Sequence, residues 1–269
     1  MPRAEAGELR RLLEGALTGE TGPLWSFLRE HSNLPGPRGN LELAGQFADL
    51  VADLGRGSWA GPAWRVAVGL AGVGPEDAPT DHPGEFLAFC GTLAAAGFAD
   101  DRDRRPQVWE TVRRAAEDPR WRLREAAAQA IQRALPLDPA GGRAVLERWA
   151  AEGGWLLLRA VAAGVADLPL LSDPGFAVSA LRLHEALLTR FLGALDRRDP
   201  GFRVLRQGLG FSLSVVVAAC PEQGFALLRR LAAGSNPDLA WVLRSNLARA
   251  RLAHAHPSEV EAVRRLLSV

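Results

Sequence analysis

The sequence contains no lysine and no tyrosine, so all 32 of its basic residues are arginine. A coding sequence rich in G and C explains this composition, because alanine, glycine and proline are abundant as well. The missing lysine therefore carries no information about phosphate recognition. Nearly half of the residues are apolar and 23% are charged, which is typical of a globular chain and excludes an intrinsically disordered one.

Cysteine is also rare, which excludes a fold held together by disulfide bonds. Cys90 and Cys220 are the two cysteines, and both lie inside apolar helical stretches where small buried thiols are expected. Histidine indicates no metal site, because His254 and His256 have only Glu259 within reach. We expect no metal, no cofactor and no catalytic residue, since the sequence supports no Ser-His-Asp or Cys-His arrangement.

Long apolar runs are absent as well. The longest stretch, around Val215 to Cys220, is far too short to cross a bilayer. The segment from Met1 to Arg11 carries acidic and basic residues with no apolar core behind them, unlike a signal peptide. We therefore expect a cytoplasmic protein with no membrane partner.

The net charge of +1 hides an asymmetry along the chain. Residues 1–101 contain 7 arginines and 14 acidic residues, whereas residues 197–269 contain 11 arginines and 5 acidic residues. An acidic N-terminal part and a basic C-terminal part would produce an electric field that steers a charged partner. Surface charge that has drifted without function is the alternative interpretation.

Apolar residues recur at three- and four-residue spacing in most windows, and this pattern predicts an all-α chain. Gly, Pro, Asp and Asn interrupt the pattern at short intervals. Asn40 is placed to cap one helix, and Asp118, Asp138 and Asp199 precede prolines suited to a first helical turn. Connections this short make consecutive helices antiparallel. The predicted helices span residues 4–17, 22–31, 40–54, 60–73, 84–98, 105–117, 119–135, 139–151, 153–167, 175–196, 200–219, 221–233, 237–252 and 257–268.

Four of these helices carry an aromatic residue followed three or four positions later by arginine. The aromatic residues are 34, 47 and 39 residues apart, which indicates internal repetition. The spacing places ring and guanidinium on one helical face. Either the rings fill the core while the arginines pair with turn carboxylates, or several pairs face a ligand. The pairs are Trp121/Arg124, Trp155/Arg159, Phe202/Arg206 and Trp241/Arg244.

This layout resembles the second helix of a HEAT repeat, in the armadillo-type family. Asp118-Pro119 precedes Leu123-Arg124 and then small apolar residues, and Pro237-Asp238 precedes Leu243-Arg244 in the same order. The likeness is clear over residues 105–252 and looser over 40–98. In that family the arginine and the turn aspartate commonly form a ladder between neighbouring repeats.

The resemblance implies a right-handed superhelical α-solenoid of antiparallel helix pairs. Each pair has an apolar face that it cannot bury alone, so neighbouring pairs must stack. We expect a single solenoid domain over residues 1–269. Residues 1–101 would form acidic, irregular helix pairs, and residues 102–269 would form regular repeats that become basic toward the C-terminus.

The segment Trp121-Arg122-Leu123-Arg124-Glu125-Ala126-Ala127 also resembles a stretch of the DNA alkylation-repair glycosylases, which are built from HEAT-like repeats. Trp155 follows at a spacing similar to that of the family's next aromatic residue. Those enzymes use a catalytic aspartate beside tryptophans one repeat upstream, whereas residues 85–93 here contain neither Trp nor Asp. The resemblance therefore implies the scaffold and an arginine, and any activity would be glycosylase-like on alkylated bases.

Two further segments are candidates for binding. Residues 33–40 hold two prolines, two glycines and Arg38, and would form either an anion-binding loop or a rigid connector. Arg244, Asn246, Arg249 and Arg251 form a cluster that is either a solvated face beside a helix dipole or a phosphate site. The residues predicted to contact a ligand or nucleic acid are Trp121, Arg122, Arg124, Trp155, Arg159, Arg206, Trp241, Arg244, Arg249 and Arg38.

These patterns favour a non-enzymatic HEAT-repeat module whose concave face binds a protein partner. The alternative is a nucleic-acid-binding HEAT-like protein related to the alkylation-repair glycosylases, with or without their activity. Arginines that point together into the groove with few acidic neighbours would favour nucleic acid. Arginines that each pair with a turn carboxylate would favour the protein partner.

Overall fold

The computed structural model describes residues 3–267 of the chain, and the side chains of residues 7–267. Within that range the structure contains sixteen α-helices, one short 3-10 helix (Gly57–Trp59) and no β-strand, which confirms the predicted all-α class. The α-helices are α1 (Arg3–Leu17), α2 (Thr21–Glu30), α3 (Leu41–Leu54), α4 (Ala60–Ala71), α5 (Glu85–Ala96), α6 (Arg105–Ala116), α7 (Trp121–Ala134), α8 (Pro139–Glu152), α9 (Trp155–Gly164), α10 (Leu168–Leu171), α11 (Pro174–Leu192), α12 (Pro200–Ala219), α13 (Pro221–Ala232), α14 (Pro237–Leu247), α15 (Ala250–Ala253) and α16 (Pro257–Leu266).

Every predicted helix has a counterpart in the structure, but one of them is interrupted. The helix expected at 153–167 ends at Gly164, and the short helix α10 lies beyond the predicted range, with Pro169 in its first turn. The helix expected at 237–252 is broken by extended backbone at Arg249, after which α15 begins.

Three of the four predicted capping residues accept hydrogen bonds from a helix start. The Asn40 side chain accepts a hydrogen bond from the N–H of Leu43 at 3.1 Å. The Asp199 carboxylate accepts from two N–H groups in the first turn of α12, and Asp138 accepts more weakly from Gly141 at 3.3 Å. These side chains satisfy donors that a helix N-terminus otherwise leaves without a partner.

The turn before α7 is the exception to the predicted capping. Pro119 precedes the helix instead of opening it, because Arg120 has extended backbone. Asp118 receives the N–H of Arg120 at 2.8 Å and two guanidinium contacts from the same residue, at 2.9 and 2.7 Å. Arg120 is buried and also donates to the carbonyl of Ala78 at 3.0 Å. Arg120 therefore attaches the start of α7 to a segment some forty residues earlier in the chain.

The chain folds into two compact units, Met1–Gly142 and Arg143–Val269, with the boundary inside α8. Each unit contains one central helix that is covered by several others. The expectation of a single solenoid domain over residues 1–269 stays a prediction.

Helix α5 is the centre of the first unit. All twelve of its residues are buried, and the helix contacts α3, α4 and α7. The closest approach is to α4 at Gly91. A Cβ atom on Gly91 would lie 2.1 Å from the backbone nitrogen of Ala71 and 2.7 Å from the carbonyl oxygen of Ala67. Only glycine fits this crossing, since the neighbouring atoms belong to rigid backbone.

Helix α12 is the centre of the second unit, where it contacts α9, α11, α13 and α14. Its 20 residues and mean hydropathy of 1.2 would suffice for a membrane-spanning helix by length and composition. However, 56% of that apolar window is buried inside the unit. The ring of Phe202, for example, stacks on Phe191 with centroids 4.6 Å apart. Packing of a core helix accounts for the apolar composition.

A buried amide joins α14 to α12, which corrects the assignment of Asn246 to a basic surface cluster. Asn246 is fully buried. Its oxygen accepts from the N–H of Ser214 at 2.7 Å, and its nitrogen donates to the carbonyls of Leu209 and Val242 at 2.8 and 2.7 Å. The amide thus satisfies backbone groups of both helices in the interior, where an unpaired polar group would be costly.

Both cysteines are buried free thiols, as their apolar surroundings predicted. Burial raises the pKa of the Cys90 thiol well above its ordinary value, and it also raises the pKa of Cys220. A protonated, buried thiol is a poor nucleophile. Neither cysteine is therefore a candidate for covalent chemistry.

His184 forms a buried polar pair with Ser212 in the second unit. The carbonyl of Ala180 lies 3.0 Å from Nδ1 and can only accept, so Nδ1 carries the proton and Nε2 accepts from the Ser212 hydroxyl at 2.9 Å. Both side chains are enclosed by protein. Burial lowers the pKa of His184 to about 4, because the charged imidazolium is poorly stabilised away from water. The pair is therefore structural.

We predict that Gly91→Ala and Gly69→Ala have opposite effects on stability. Gly91→Ala should lower the free energy of unfolding by about 3 kcal/mol, since the added methyl group meets backbone of α4. Gly69 lies in α4 with nothing within 4 Å of an added Cβ. Its substitution should raise the free energy of unfolding by about 0.5–1 kcal/mol through helix propensity. Urea denaturation of both variants measures this difference, and equal effects would contradict the close crossing.

We also predict an acid-induced loss of stability that depends on His184. The pKa of this histidine is about 4 in the folded chain and about 6.5 in an unfolded one. Below pH 6.5 the unfolded chain therefore binds more protons, and stability is lost as the pH falls toward 4. The contribution of this residue is on the order of 3 kcal/mol between pH 7 and pH 4. His184→Gln should remove that part of the pH dependence when urea unfolding is compared at both pH values, whereas parallel curves for the two proteins would show that His184 titrates normally.

Candidate functional site

A cavity of about 260 Å³ lies in the first unit, between the 33–41 segment, the start of α5 and the first turns of α7. We call it the ion-pair pocket. Its lining combines apolar and aromatic side chains with charged ones of both signs. The lining residues are Leu34, Pro37, Arg38, Gly39, Leu41, Glu85, Phe86, Phe89, Trp121, Arg122, Glu125 and Gln129.

The 33–41 segment is held in place by hydrogen bonds across its base. The N–H of Asn40 donates to the carbonyl of Ser32, and the Asn40 amide donates to the carbonyl of His31, both at 3.0 Å. Leu34 is buried under the segment, while Arg38 is exposed. The loop therefore closes on itself and presents Arg38 at the mouth of the pocket.

An ion pair between Glu85 and Arg122 forms one wall of the pocket. Glu85 is fully buried at the first position of α5, and its Oε2 lies 3.1 Å from a terminal nitrogen of Arg122. The same oxygen accepts from the N–H of Asp81 at 3.0 Å. The other terminal nitrogen of Arg122 lies 2.8 Å from the carboxylate of Asp81 and donates to the carbonyl of Gly36. The pair thus links α5, α7 and the 33–41 segment.

Two atoms of this ion pair receive no hydrogen bond from the described residues. Glu85 Oε1 is a buried acceptor without a donor, and Arg122 Nε is a buried donor without an acceptor. An unpaired polar atom in the interior costs free energy comparable to a lost hydrogen bond. Both residues line the pocket, but these two atoms are themselves enclosed by protein.

Aromatic rings form the remaining walls. Phe86 and Phe89 stack with centroids 6.3 Å apart and planes 14° from parallel. Trp121 is 42% exposed and carries the guanidinium of Arg122 over its ring, at 4.4 Å from the centroid. The pocket is thus bounded by aromatic side chains beside the buried ion pair.

A second candidate surface lies in the second unit, and we call it the aromatic–arginine patch. Phe211 of α12 and Trp241 of α14 are 46% and 38% exposed. Arg249 and Arg251 place their guanidinium carbons 5.1 and 4.9 Å from the centre of the Phe211 ring. Arg206 covers Trp241 at 4.0 Å. Among the residues that the structure describes, no carboxylate lies within ion-pair distance of Arg249 or Arg251.

The predicted binding residues fall partly into these two surfaces. Arg38, Trp121 and Arg122 meet in the ion-pair pocket. Arg206, Trp241 and Arg249 belong to the aromatic–arginine patch.

Four predicted residues lie elsewhere. Arg124 donates to the carbonyls of Asp118 and Pro119, both at 2.9 Å. Arg244 donates to the carbonyl of Leu267 at 3.1 Å. The other two lie against α12: Trp155 packs edge-on against Phe202, and the Arg159 side chain runs along Gly208.

The aromatic and arginine side chains pair differently from the expected three- and four-residue pattern. The guanidinium over Trp121 belongs to the adjacent Arg122. Trp155 is approached by Arg190 of α11, at 6.0 Å, and Trp241 is covered from α12. Trp155 and Trp241 thus meet arginines of neighbouring helices, while Trp121 meets the next residue of its own helix, because packing sets which side chains meet.

Sequence reasoning missed Glu85 and Phe211 as parts of these surfaces. Glu85 is the one charged residue of an otherwise apolar helix. A lone carboxylate in a stretch predicted to be buried signals a specific partner, because an unpaired buried charge is strongly unfavourable. Phe211 had no comparable signal, since nothing in its apolar helix marks which ring stays exposed.

Comparison with protein-family models gives no match, and comparison with curated protein sequences gives no significant match either. The likenesses to HEAT repeats and to alkylation-repair glycosylases therefore depend on the residues of this chain alone.

Proposed function

We propose that this chain is a HEAT-like helical interaction module, a right-handed solenoid of helix pairs, which binds a segment of a protein partner. The ion-pair pocket of the first unit is its binding site in this proposal. Three features of the described residues support it: the order of helix contacts, the pairing of the arginines, and the composition of the pocket.

The order of helix contacts within each unit supports an arrangement of stacked hairpins. In the first unit, α4 packs on α5 and α6 on α7, and the alternate helices α3, α5 and α7 also contact one another in turn. In the second unit α12 contacts both α9 and α14. Stacking of repeats places each helix against its hairpin partner and against its counterpart in the next repeat.

One arginine–aspartate contact has the character of a HEAT ladder. Arg206 Nε of α12 lies 3.0 Å from a carboxylate oxygen of Asp238, in the first turn of α14. The N–H does not point at that oxygen, so the contact is an ion pair without a hydrogen bond. Arg197 approaches the other oxygen at 3.4 Å. The resemblance implies such a contact between neighbouring repeats.

Arginines paired with carboxylates favour a protein partner over a polyanion in the first unit. Arg120 is bound by Asp118, and Arg122 by Glu85 and Asp81. Residues 1–142 hold 16 arginines and 20 acidic residues. A phosphate backbone would meet neutralised cations and excess negative charge there, which disfavours binding.

The mixed composition of the ion-pair pocket is the observation that carries the proposal. Aromatic rings bound a space that suits one anchoring side chain, beside Arg38 and the ion pair of Glu85 and Arg122. Anchors of this kind dominate protein–protein binding energies. The partner segment would need to insert only one or two of its residues into the pocket.

Selection of a random peptide display library on the purified chain tests this proposal. We expect the recovered peptides to share a motif and to lose about tenfold in affinity for the Trp121→Leu variant, because a wall of the pocket is removed. Trp241→Leu is the matched control, since it removes a similarly exposed ring from the second unit. Peptides that bind both variants equally well would contradict the assignment of the pocket.

Nucleic-acid binding by the aromatic–arginine patch is a second candidate function. Residues 143–269 hold 16 arginines and 11 acidic residues, and Phe211 and Trp241 offer stacking surfaces beside guanidinium groups. Single-stranded nucleic acids bind to such combinations of rings and positive charge. The patch therefore supports nucleic-acid binding, which is one of the properties that the resemblance to the alkylation-repair glycosylases implies.

A fluorescence-anisotropy titration with labelled oligothymidine at low salt tests the second candidate. The double variant Arg249→Gln/Arg251→Gln should bind about tenfold more weakly, because two charge-assisted phosphate contacts are lost. Arg10→Gln/Arg11→Gln removes the same charge from exposed positions of α1 and should change affinity little. Equal losses for both double variants would show that only net charge matters, and absence of binding to the unmodified chain would exclude this function.

A further inference from the structure

The ion-pair pocket combines an exposed apolar rim with a buried aromatic interior. Leu41 and Trp121 both line the cavity, and both are exposed although they are large apolar residues. Phe86 and Phe89 line it as well and are almost fully buried. Exposed apolar side chains around a cavity are typical of a surface that a partner covers. The pocket therefore suits an apolar ligand group.

Arg38 carries the charge of the lining that is left for a ligand. The other arginine that lines the cavity, Arg122, is bound by Glu85 and Asp81. Glu125 also interacts within the chain. Arg38 is exposed, and no carboxylate of the described residues lies within ion-pair distance of it. A carboxylate at Arg38 would therefore gain a charged partner without breaking an existing ion pair.

The loop that carries Arg38 rests on the aromatic interior. A Cβ atom on Gly39 would lie 3.6 Å from the ring of Phe86, so the backbone next to Arg38 is in contact with that ring. The N–H groups of Arg38 and Gly39 donate to no acceptor within residues 7–267 and are left for water or a ligand. A guanidinium and two backbone donors beside a ring suit an anionic oxygen that is attached to an apolar group.

The excess of acidic residues in the first unit disfavours a polyanion but permits a single carboxylate. A phosphate backbone extends over a large surface and responds to its summed charge. One carboxylate responds mainly to the groups closest to it, since salt screens exposed charges that are more than about 10 Å apart. The charge argument against nucleic acid in this unit therefore does not apply to a carboxylate at Arg38.

The size of the pocket favours a chain end over an internal carboxylate. Its volume of about 260 Å³ is just below the usual range for ligand pockets, so it holds little more than one residue. A C-terminal residue carries its carboxylate and its side chain on the same carbon atom, and can meet both Arg38 and the rings. An internal segment would need a second residue for the carboxylate and would bring two peptide groups toward apolar rings, which costs desolvation.

We propose that the ion-pair pocket binds the C-terminal residue of the partner segment. The apolar side chain of that residue packs against Phe86, Phe89 and Trp121, and its carboxylate pairs with Arg38. A chain end deepens the proposed function and rests on it, because it specifies which part of the partner enters the pocket.

Three small probes that mimic a chain end test the carboxylate and the side chain separately. N-acetylphenylalanine has both groups, N-acetylphenylalaninamide has an uncharged amide in place of the carboxylate, and N-acetylalanine has no ring. The indole N–H resonance of Trp121, assigned from its absence in Trp121→Leu, reports binding to the ¹⁵N-labelled chain. We expect the acid with the ring to bind at millimolar concentration, about three- to fivefold more tightly than its amide and about tenfold more tightly than N-acetylalanine. Equal binding of the acid and either other probe, or no saturable shift at Trp121, would overturn the proposal.

Arg38→Gln identifies the partner of the carboxylate. Because Arg38 is exposed and has no ion pair to lose, the variant should keep the folded structure. It should bind the acid and the amide equally, with the affinity that the unmodified chain has for the amide. Arg29→Gln is the matched control, since it removes the same charge from an exposed position of α2 outside the pocket and should keep the preference for the acid. Loss of the preference in both variants, or its retention in Arg38→Gln, would overturn the assignment of Arg38.

Two display libraries distinguish a chain end from an internal segment. In the first library the random peptides end in a free C-terminus, and in the second the same random segment lies between constant flanks. We expect the free-end library to yield a motif with an apolar last residue that requires both Trp121 and Arg38. A motif that requires Trp121 and comes from the internal library alone would overturn the chain end and leave the proposed function intact. Absence of such a motif from both libraries would overturn the proposed function, and the chain end with it.

Discussion

The ion pair between Glu85 and Arg122 is the interaction on which the architecture of the first unit depends. Helix α5 has no exposed residue, yet it begins with a carboxylate. Removing that charge from water is strongly unfavourable without a partner, and Arg122 of α7 supplies one. Because the same guanidinium also reaches Asp81 and Gly36, burial of the helix start brings three separate segments around one cavity. The pocket is therefore a direct consequence of burying α5.

The second unit buries its central helix by a related arrangement with different chemistry. Gly210 of α12 lets the Trp241 ring approach so closely that an added Cβ would lie 2.8 Å from it. The Asn246 amide then bonds to backbone groups of both helices. In each unit a glycine permits close packing and a buried polar side chain on a neighbouring helix fixes the register. The two units differ because the Asn246 amide needs no counter-ion, whereas the Glu85 carboxylate does. Helices α12 and α14 therefore pack together without a buried ion pair.

Local signals in the sequence predicted the helices well, because capping and proline effects act within a few residues. Asn40 and Asp199 accept the hydrogen bonds that their positions indicated. The errors occur where a distant partner competes with a local one. Asp118 binds the buried Arg120, which is also held by a carbonyl 42 residues away, and Trp155 meets Arg190 instead of a residue on its own helix. Spacing along one helix contains no information about such neighbours.

The candidate site was predictable in part, since Arg38 and the adjacent pair Trp121 and Arg122 were predicted from two separate segments and meet in one pocket. The carboxylate that gives the pocket its chemistry was not selected, although a lone charge in a buried helix marks it. The arginines of the two surfaces differ in availability. Arg122 of the pocket is bound by Glu85 and Asp81, whereas Arg249 and Arg251 rest on the exposed ring of Phe211. Helix packing around each surface therefore decides which guanidinium groups are neutralised, and the net charge along the sequence does not show it.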